Sequence, residues 1–477
     1  MSRTLRRRAL VVLTGVALLC GGLVAPGASA GGPLVRPAQV TSSAVLDEAE
    51  GRATPVPPVR LGGVATRSEG CSPAALAAAA ESAEPVGAEY GAEHVGAKAV
   101  SCAVVTERGT PSAARDGALA SARAAGPTAR DYLEPPDWCF DHAFDGWWGT
   151  RTEMCSIADG LVNLWLYQNG VPVRLLGQAQ WLEINFAYTS ADLDTWAHQI
   201  RVEKYWGTAA GNGAATVSGF STCGGECKQD TDTGLRPGNF ATDVANDGEA
   251  YNTSTSSELG EVGLAEGQWE YWLTYAGFPP TNSLYVDLPT VRCDNAIGDN
   301  ENNSGDPAFA VAAAGAGCVF LGILPVMVYS KTGFYPTLAT HIEAAQQSGL
   351  PGAYPNGAVL NRITNATDKA SNGRTACPAG WARPQGRSCD EYPFRSTKQG
   401  ASTQTPKGTA RTFAPPNTAW CHMDTAWGVP TGVTGPTGWS SCMIDATDNR
   451  NGGAALGAFY SSKRVLDGDP YLVWIQP

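Results

Sequence analysis

Beyond its N-terminus, the chain lacks a hydrophobic run of the length that a membrane-spanning helix needs, about 18 residues or more. The nearest approach is the stretch 308–328, which Gly315, Gly317, Gly322 and Pro325 interrupt. Histidine is also scarce, with five in 477 residues. The sequence therefore predicts no membrane span, and it offers few histidines as metal ligands.

The N-terminal segment 1–30 has the three parts of a signal peptide. Four arginines within residues 3–8 form a basic region, Ala9–Val24 is apolar, and small residues precede Gly31 as a cleavage site. Part of the basic region is also a weak twin-arginine match, which leaves the export route open. The segment predicts a secreted, extracellular protein.

Cysteine, in contrast to histidine, is plentiful. The chain has 13, and removing Cys20 with the signal peptide leaves an even number, which suggests disulfides in an exported protein. The spacing favours local pairs but does not prove the connectivity. The predicted pairs are Cys71–Cys102, Cys139–Cys155, Cys223–Cys227, Cys293–Cys318, Cys377–Cys389 and Cys421–Cys442. A zinc site at Cys223 and Cys227 is disfavoured, because no second pair stands at zinc-finger spacing and no histidine lies nearby.

Acidic residues outnumber basic residues, and the net charge is −12. The distribution is uneven. Residues 335–477 contain 12 Lys and Arg against 9 Asp and Glu, whereas the remainder contains 21 against 36. The C-terminal part is therefore mildly basic, as surfaces that handle phosphate tend to be.

Composition divides the mature chain into three regions and predicts a multidomain protein. Residues 31–130 are rich in Ala, Gly and Pro and predict a linker or pro-region. Residues 131–330 show period-2 alternation, as in the rows 182–188 and 269–275, which predicts an antiparallel β-sandwich-like domain. Residues 331–477 mix helical and strand patterns and predict a small, disulfide-stapled α+β domain.

The predicted β-rich domain shows no catalytic constellation. His142 and His198 stand alone and are interpreted as surface or packing residues. The loop Asp294–Asp306 resembles a calcium-binding loop only loosely, because Ser304 occupies the position of the usual glycine, so an ordinary Asx-rich loop is favoured. We therefore expect this domain to contribute placement rather than chemistry, and its ligand stays open.

The segment Arg387–Ala401 (RSCDEYPFRSTKQGA) concentrates chemistry in a few residues. Asp390 and Glu391 are the hard oxygen ligands that Mg²⁺ or Mn²⁺ prefer, and either can position or activate water. Arg387 and Lys398 are cations suited to a phosphate backbone. The alternative interpretation is a solvated acidic turn held by Cys389, with the cations serving solubility.

Three further candidates lie elsewhere in the C-terminal region. His341, on a helix predicted to start at Pro336 and end at Gly349, is the best candidate for a general base, because imidazole titrates near neutral pH. Asn449 is a candidate metal or phosphate ligand, and Arg450 a candidate phosphate clamp. The alternatives are a helix-surface histidine and an Asx turn before a helix; His422 is interpreted as structural.

Four blocks of the C-terminal region, taken together, resemble the NucA/NucB family of secreted bacterial deoxyribonucleases. They are Phe334–Gly352, Arg374–Pro378, Arg387–Ala401 and Asp445–Ile475. The resemblance covers roughly the last 140 residues and falls most directly on Asp390 and Glu391. One position departs from it: Ala458 stands where some members have a histidine.

The resemblance implies an extracellular endonuclease that cuts DNA with little base specificity and requires Mg²⁺ or Mn²⁺. Two alternatives remain open at this point. The protein could be a secreted adhesion or matrix-binding protein that binds DNA without cutting it, or a nuclease toxin aimed at competitors.

Overall fold

The computed structural model of the chain describes residues 54–61, 66–68, 71–106, 111–124, 132–230, 234–256, 258–297, 315–411, 419–432 and 435–477. The predicted signal peptide lies outside these residues, as does the part of the predicted Asx-rich loop from residue 298 onward. The described residues all belong to one compact unit.

The helices and strands of the described residues follow one another as listed here. The α-helices are α1 (Pro73–Ser82), α2 (Ala113–Ala124), α3 (Asp137–Asp141), α4 (Pro336–Gln347), α5 (Ala366–Ala376) and α6 (Ala446–Ser462). Short 3₁₀ helices cover Ala88–Tyr90, Ala92–His94, Ala210–Asn212 and Thr425–Trp427. The strands are β1 (Val59–Arg60), β2 (Thr66–Ser68), β3 (Lys98–Thr106), β4 (Trp148–Gly149), β5 (Glu153–Gln168), β6 (Val171–Thr189), β7 (Thr195–Ala209), β8 (Ala215–Gly225), β9 (Cys227–Gln229), β10 (Leu235–Asn239), β11 (Ala245–Ser254), β12 (Val262–Tyr275), β13 (Leu284–Asp287), β14 (Val291–Asp294), β15 (Gly317–Phe320), β16 (Val326–Ser330), β17 (Leu360–Asn361), β18 (Arg387–Tyr392), β19 (Ala410–Arg411), β20 (Trp439–Asp445) and β21 (Pro470–Gln476). Within the described ranges, none of the helices has the length and hydropathy needed to cross a membrane.

These strands form mostly antiparallel sheets. Among the described residues, one sheet has eight strands in the order β1-β4-β5-β6-β7-β11-β9, with β3 also on β5. A second has seven, in the order β10-β8-β12-β13-β2, with β14 on β12 and β15 on β14. Both contribute to one hydrophobic cluster, which includes Trp181 and Trp196 from the first sheet and Trp269 and Tyr271 from the second. A layer of aromatic side chains therefore lies between the two sheets.

Both faces of strand β6 are buried across residues 182–188. The row Leu182, Ile184, Phe186 and Tyr188 packs in a second cluster with residues of α2 and α3. The opposite row, expected from sequence to be less buried, contains Glu183 and Asn185, both fully buried. Glu183 accepts hydrogen bonds from Asn185 Nδ2 at 2.9 Å and from the Tyr271 hydroxyl. Burial on both faces is possible because these polar groups bond to each other.

The region 31–130 differs from the predicted linker. Its strand β3 pairs with β5 over nine residues, from Lys98 opposite Tyr167 to Thr106 opposite Asp159. Helix α1 packs on this strand through Ala80, which contacts Val100. The described part of the region is therefore built into the large sheet, because β3 supplies backbone hydrogen bonds and buried side chains that a linker would not.

Each of the six predicted cysteine pairs is bonded in the structure. The largest separation in sequence is 31 residues, between Cys71 and Cys102. Local pairing could be predicted because most partners lie on neighbouring strands or on a strand and its adjoining segment.

His198, interpreted from sequence as a surface or packing residue, is a packing residue on β7. It is 1% exposed between the rings of Trp147 and Trp269, and neither ring nitrogen has a hydrogen-bond partner among the described residues. Burial lowers the pKa of its imidazole to about 3. Between about pH 3 and pH 6.5, the imidazole of His198 is therefore neutral in the folded protein and protonated in the unfolded chain.

We expect His198 to make the fold sensitive to acid. Its stabilising effect is complete above pH 6.5, the pKa in the unfolded chain, and is lost as the pH falls towards 3. In that window, one proton taken up on unfolding lowers the free energy of unfolding by about 1.4 kcal/mol per pH unit. Denaturant titrations at pH 7, 6, 5 and 4 on wild type and His198→Phe should show a shallower acid slope in the variant. Parallel slopes would contradict the assignment.

The C-terminal region has its own core and two small sheets, in the orders β16-β21-β17 and β18-β20-β19. The predicted helix at Pro336 is present as α4, and α5 and α6 are further helices of this region. Strand β16 precedes the predicted domain boundary at residue 331, yet it pairs in parallel with β21 from Val326 opposite Leu472 onward. The C-terminal sheet therefore begins before that boundary.

Candidate active site

The candidate site is centred on strand β18, which carries both predicted carboxylates. Strand β18 pairs antiparallel with β20, so that Asp390 lies opposite Cys442 and Glu391 lies opposite Ser441. Successive side chains of a strand point to opposite faces of its sheet. Asp390 and Glu391, adjacent in sequence, therefore face different surroundings.

Asp390 is held by a chain of hydrogen bonds. Its Oδ2 lies 2.5 Å from His341 Nδ1, and His341 Nε2 lies 2.6 Å from Ser440 Oγ. An ionised carboxylate only accepts hydrogen bonds, so Nδ1–H is the donor to Asp390. Ser440 and His341 are fully buried, whereas Asp390 is 6% exposed and is therefore the most exposed of these three residues. The arrangement fixes the orientation of one carboxylate at the edge of the core.

Helix α4 brings His341 to this position. Its buried face contains Leu338, His341, Ile342 and Ala345, which share one side because of the 3.6-residue period. The start of the helix is fixed by Asp448, whose Oδ2 accepts hydrogen bonds from the backbone nitrogen and the hydroxyl of Thr337 at 2.9 and 2.6 Å. The imidazole ring is also covered by the ring of Trp420, with 6.5 Å between the ring centroids.

The structure places His341 away from solvent. It was predicted as the general base, but both of its ring nitrogens are engaged and its side chain is fully buried. A base must reach the proton that it removes, directly or through one water. His341 therefore contacts Asp390 and Ser440 rather than solvent, and Asp390 is the more exposed of the two predicted catalytic groups His341 and Asp390.

Glu391, predicted together with Asp390 as a metal ligand, has different neighbours from Asp390. It is half-buried, and its Oε2 lies 3.6 Å from Cys377 Sγ on the other face of β18. Desolvation, together with the charge of Asp390, raises the pKa of Glu391 to about 8.

Asn449 stands on the same side as Asp390. It lies in the first turn of α6, whose N-cap Asp445 accepts hydrogen bonds from Thr447 N and Asp448 N at 2.7 and 3.1 Å. Asn449 Nδ2 donates to Ser388 Oγ and to Cys389 O, both at 2.9 Å. These contacts anchor the amide on β18 immediately before Asp390 and do not use its Oδ1.

The three predicted phosphate-binding cations differ in availability. Arg387 donates from Nη1 to Met443 O and from Nη2 to Ala419 O, both at 3.0 Å, so its guanidinium supports the fold. Arg450 and Lys398 are exposed. His422, interpreted as structural, forms a β-bridge with Met443 beside β20.

The donor chemistry near Asp390 fits a small, hydrated cation better than a cage of protein ligands. The described residues contain no cluster of three or more His, Cys, Asp and Glu side chains that could hold a metal ion. Mg²⁺ commonly keeps several waters and uses one or two protein oxygens with substrate phosphate. Asp390 Oδ1 and Asn449 Oδ1 would be those oxygens, since the contacts described above use Oδ2 and Nδ2.

Sequence reasoning missed Ser440 and Trp420. Ser440 lies 99 residues from His341 in the chain, and Trp420 lies outside the described helices and strands. A serine within WSSCMID carries no signal of its own, because its partner His341 reaches it only when α4 packs on the β18–β20 sheet.

Comparison with known proteins bears on this strand. Residues 348–414 match the model of the deoxyribonuclease NucA/NucB family. The match contains Asp390 and Glu391, and it lies between His341 and Asn449. It confirms the resemblance for the C-terminal region. No curated protein and no solved structure matches the chain.

The matched segment contains part of the candidate site. Asp390 is within the matched segment and is the carboxylate that His341 and Ser440 hold in place. A NucA/NucB region implies a deoxyribonuclease with DNA as its substrate.

Proposed function

We propose that this protein is a secreted, metal-dependent endonuclease that hydrolyses phosphodiester bonds of extracellular DNA with little sequence specificity. The observation that carries the proposal is the oriented, nearly buried Asp390 within the NucA/NucB segment. Hydrolysis of a phosphodiester requires a water molecule to be activated and the phosphate charge to be neutralised. A fixed carboxylate beside a basic surface supports both requirements.

Asp390 is assigned to position the attacking water or to bind the metal through Oδ1, while Oδ2 stays on His341. Asn449 supplies a neutral oxygen close to the same strand face. A bound Mg²⁺ or Mn²⁺ would supply Lewis-acid stabilisation of the phosphate oxygens.

Exposed cations support binding of a phosphate backbone. Arg450 follows Asn449 in the first turn of α6, and Lys398 is exposed beyond β18. The helix N-terminus adds backbone N–H groups and a partial positive charge, although Asp445 caps part of it. Backbone contacts carry no base information, which favours low sequence specificity.

Export is supported by the bonded cysteine pairs. Six disulfides are typical of oxidising compartments and rare in the bacterial cytosol. Together with the predicted signal peptide, they favour action outside the cell.

The test is nicking of supercoiled plasmid DNA by the purified full mature chain. With Mg²⁺ or Mn²⁺ present we expect relaxed and then linear DNA, and EDTA should lower the nicking rate by at least about tenfold. Adding back excess Mg²⁺ should restore it. Cut positions mapped on the plasmid should show no common sequence.

Two results would overturn the proposal. Retention of DNA in a gel-shift assay without nicking in any metal would favour the binding protein without catalysis. Cleavage at full rate in EDTA would favour a metal-independent nuclease.

A further inference from the structure

Strand β14 presents two charged side chains to the C-terminal region. Its alternation places Cys293 towards the core between the large sheets, in a disulfide with Cys318, and places Arg292 and Asp294 on the other face. Arg292 is 4% exposed and Asp294 is fully buried. Ionised groups so deeply buried need partners, which come from beyond residue 460.

Arg464 is the partner of Asp294 and is itself fully buried. Its Nε lies 3.1 Å from both carboxylate oxygens of Asp294, and its Nη2 lies 2.6 Å from Oδ1. Its remaining donors reach Asp294 O, Ala191 O and Gly315 O at 2.6, 2.5 and 3.0 Å. The β-rich sheets thus surround a side chain of the C-terminal region.

Two more arginines of the β-rich sheets hold the backbone around Arg464. Arg151 donates from Nε to Lys463 O at 3.1 Å and from Nη2 to Arg464 O at 3.4 Å. Arg292 donates from Nη2 to Arg464 O and from Nη1 to Asp469 Oδ2, the latter at 2.6 Å. The segment Lys463–Asp469, called here the junction turn, is therefore held from the β-rich side.

The junction turn follows helix α6 directly and leads into strand β21. Helix α6 has 17 residues, which is about 25 Å at 1.5 Å per residue. Its far end carries Asn449, which bonds Cys389 O next to Asp390. A shift of the turn is thus carried along a rigid helix to the strand of Asp390.

We propose that the β-rich sheets position the nuclease site through the junction turn, with Asp294 and Arg464 as the positioning residues. The inference rests on the proposed function for its catalytic readout. Removing one partner of a buried ion pair leaves an uncompensated charge, and the surrounding chain moves to solvate it. Displacement of α6 then misplaces Asn449 relative to Asp390, and small misplacements reduce catalysis strongly.

The test compares Asp294→Asn with a matched control in the full chain. The control is Asp247→Asn. Asp247 also faces a buried arginine within the eight-stranded sheet, because its Oδ1 lies 2.7 Å from Arg201 Nε. The side chains of Arg201 and Asp247 are 4% and 5% exposed. Both variants should lose thermal stability. At a temperature where both are folded, kcat on plasmid DNA should fall by about tenfold or more in Asp294→Asn. It should stay within about twofold in Asp247→Asn, and KM should change little in either.

A second variant and a second measurement keep the test decisive. Asp469→Asn removes the contact with Arg292 at a more exposed position and should lower kcat in the same direction. Hydrogen exchange of the α6 amides near Asn449 should accelerate in both interface variants and not in Asp247→Asn, whether or not the protein cleaves DNA. Unchanged exchange and unchanged kcat in both variants, or equal losses in the control, would overturn the inference. If the wild-type protein itself does not cleave DNA, only the proposed function is overturned.

Discussion

Asparagine in place of Asp390 lowers the rate of DNA cleavage by the full chain at least about a hundredfold, the scale of losing a key acid–base or electrostatic group. The neighbouring substitution Glu391→Gln keeps the rate within about threefold. Both changes replace a carboxylate with an amide of the same shape, one residue apart on β18. We expect the cleavage rates of the two variants to differ because Asp390 is held by His341, whereas Glu391 lies on the opposite face beside Cys377.

The expected difference also follows from the protonation states. Since burial and the charge of Asp390 raise the pKa of Glu391 to about 8, glutamine resembles its protonated form at pH 7. The amide introduced by Asp390→Asn would keep a polar oxygen for Nδ1–H of His341 but would lose the negative charge. Initial rates of plasmid nicking at pH 7 test this, with circular dichroism and thermal unfolding to verify the fold. Equal losses in the two variants would restore the two carboxylates as one functional pair.

We expect a fragment that begins at residue 331 to fail to fold and to have no activity. It lacks β16, which pairs with β21 from Val326 opposite Leu472 to Ser330 opposite Gln476. Met327 and Tyr329 of this strand are nearly or fully buried in the C-terminal core. The deletion therefore removes an edge of the sheet and a part of the core together.

Restoring the strand isolates the contribution of the interface. A fragment that begins at residue 321 keeps β16 but leaves Arg464 without Asp294 and Asp469 without Arg292. We expect a folded but less stable protein, since loss of a buried partner costs about 3–5 kcal/mol. Thermal unfolding and limited proteolysis of both fragments and the full chain give the order. A cooperative, active fragment 331–477 would show that the C-terminal region is independent.

Local features of the sequence predicted the local features of the structure. The helix at Pro336 follows from proline at a first helical position and an apolar face through Leu338 and Ile342. Cysteine pairs close in sequence were predicted because their strands or adjoining segments are close. The alternation of Trp269 to Tyr275 indicated a strand with one face in a core.

Relations set by long-range pairing could not be predicted in this way. The sequence places Asp390 beside Glu391, but the pleat separates their side chains, and the strand assignment needed to see this comes from pairing with β20. His341 meets Asp390 and Ser440 only after α4 packs on that sheet. Nor does any local pattern show that Arg464 fills a position facing Asp294, since a buried arginine and an exposed one look alike in sequence.

The position of β21 also bears on when the protein becomes active. This strand lies between β16 and β17, and both are synthesised long before it. Neither neighbour can complete its hydrogen bonds until β21 leaves the ribosome, and long-range pairing of this kind is slow to form. We therefore expect the C-terminal core, and any activity that depends on it, to be completed only once residues 470–476 have been made.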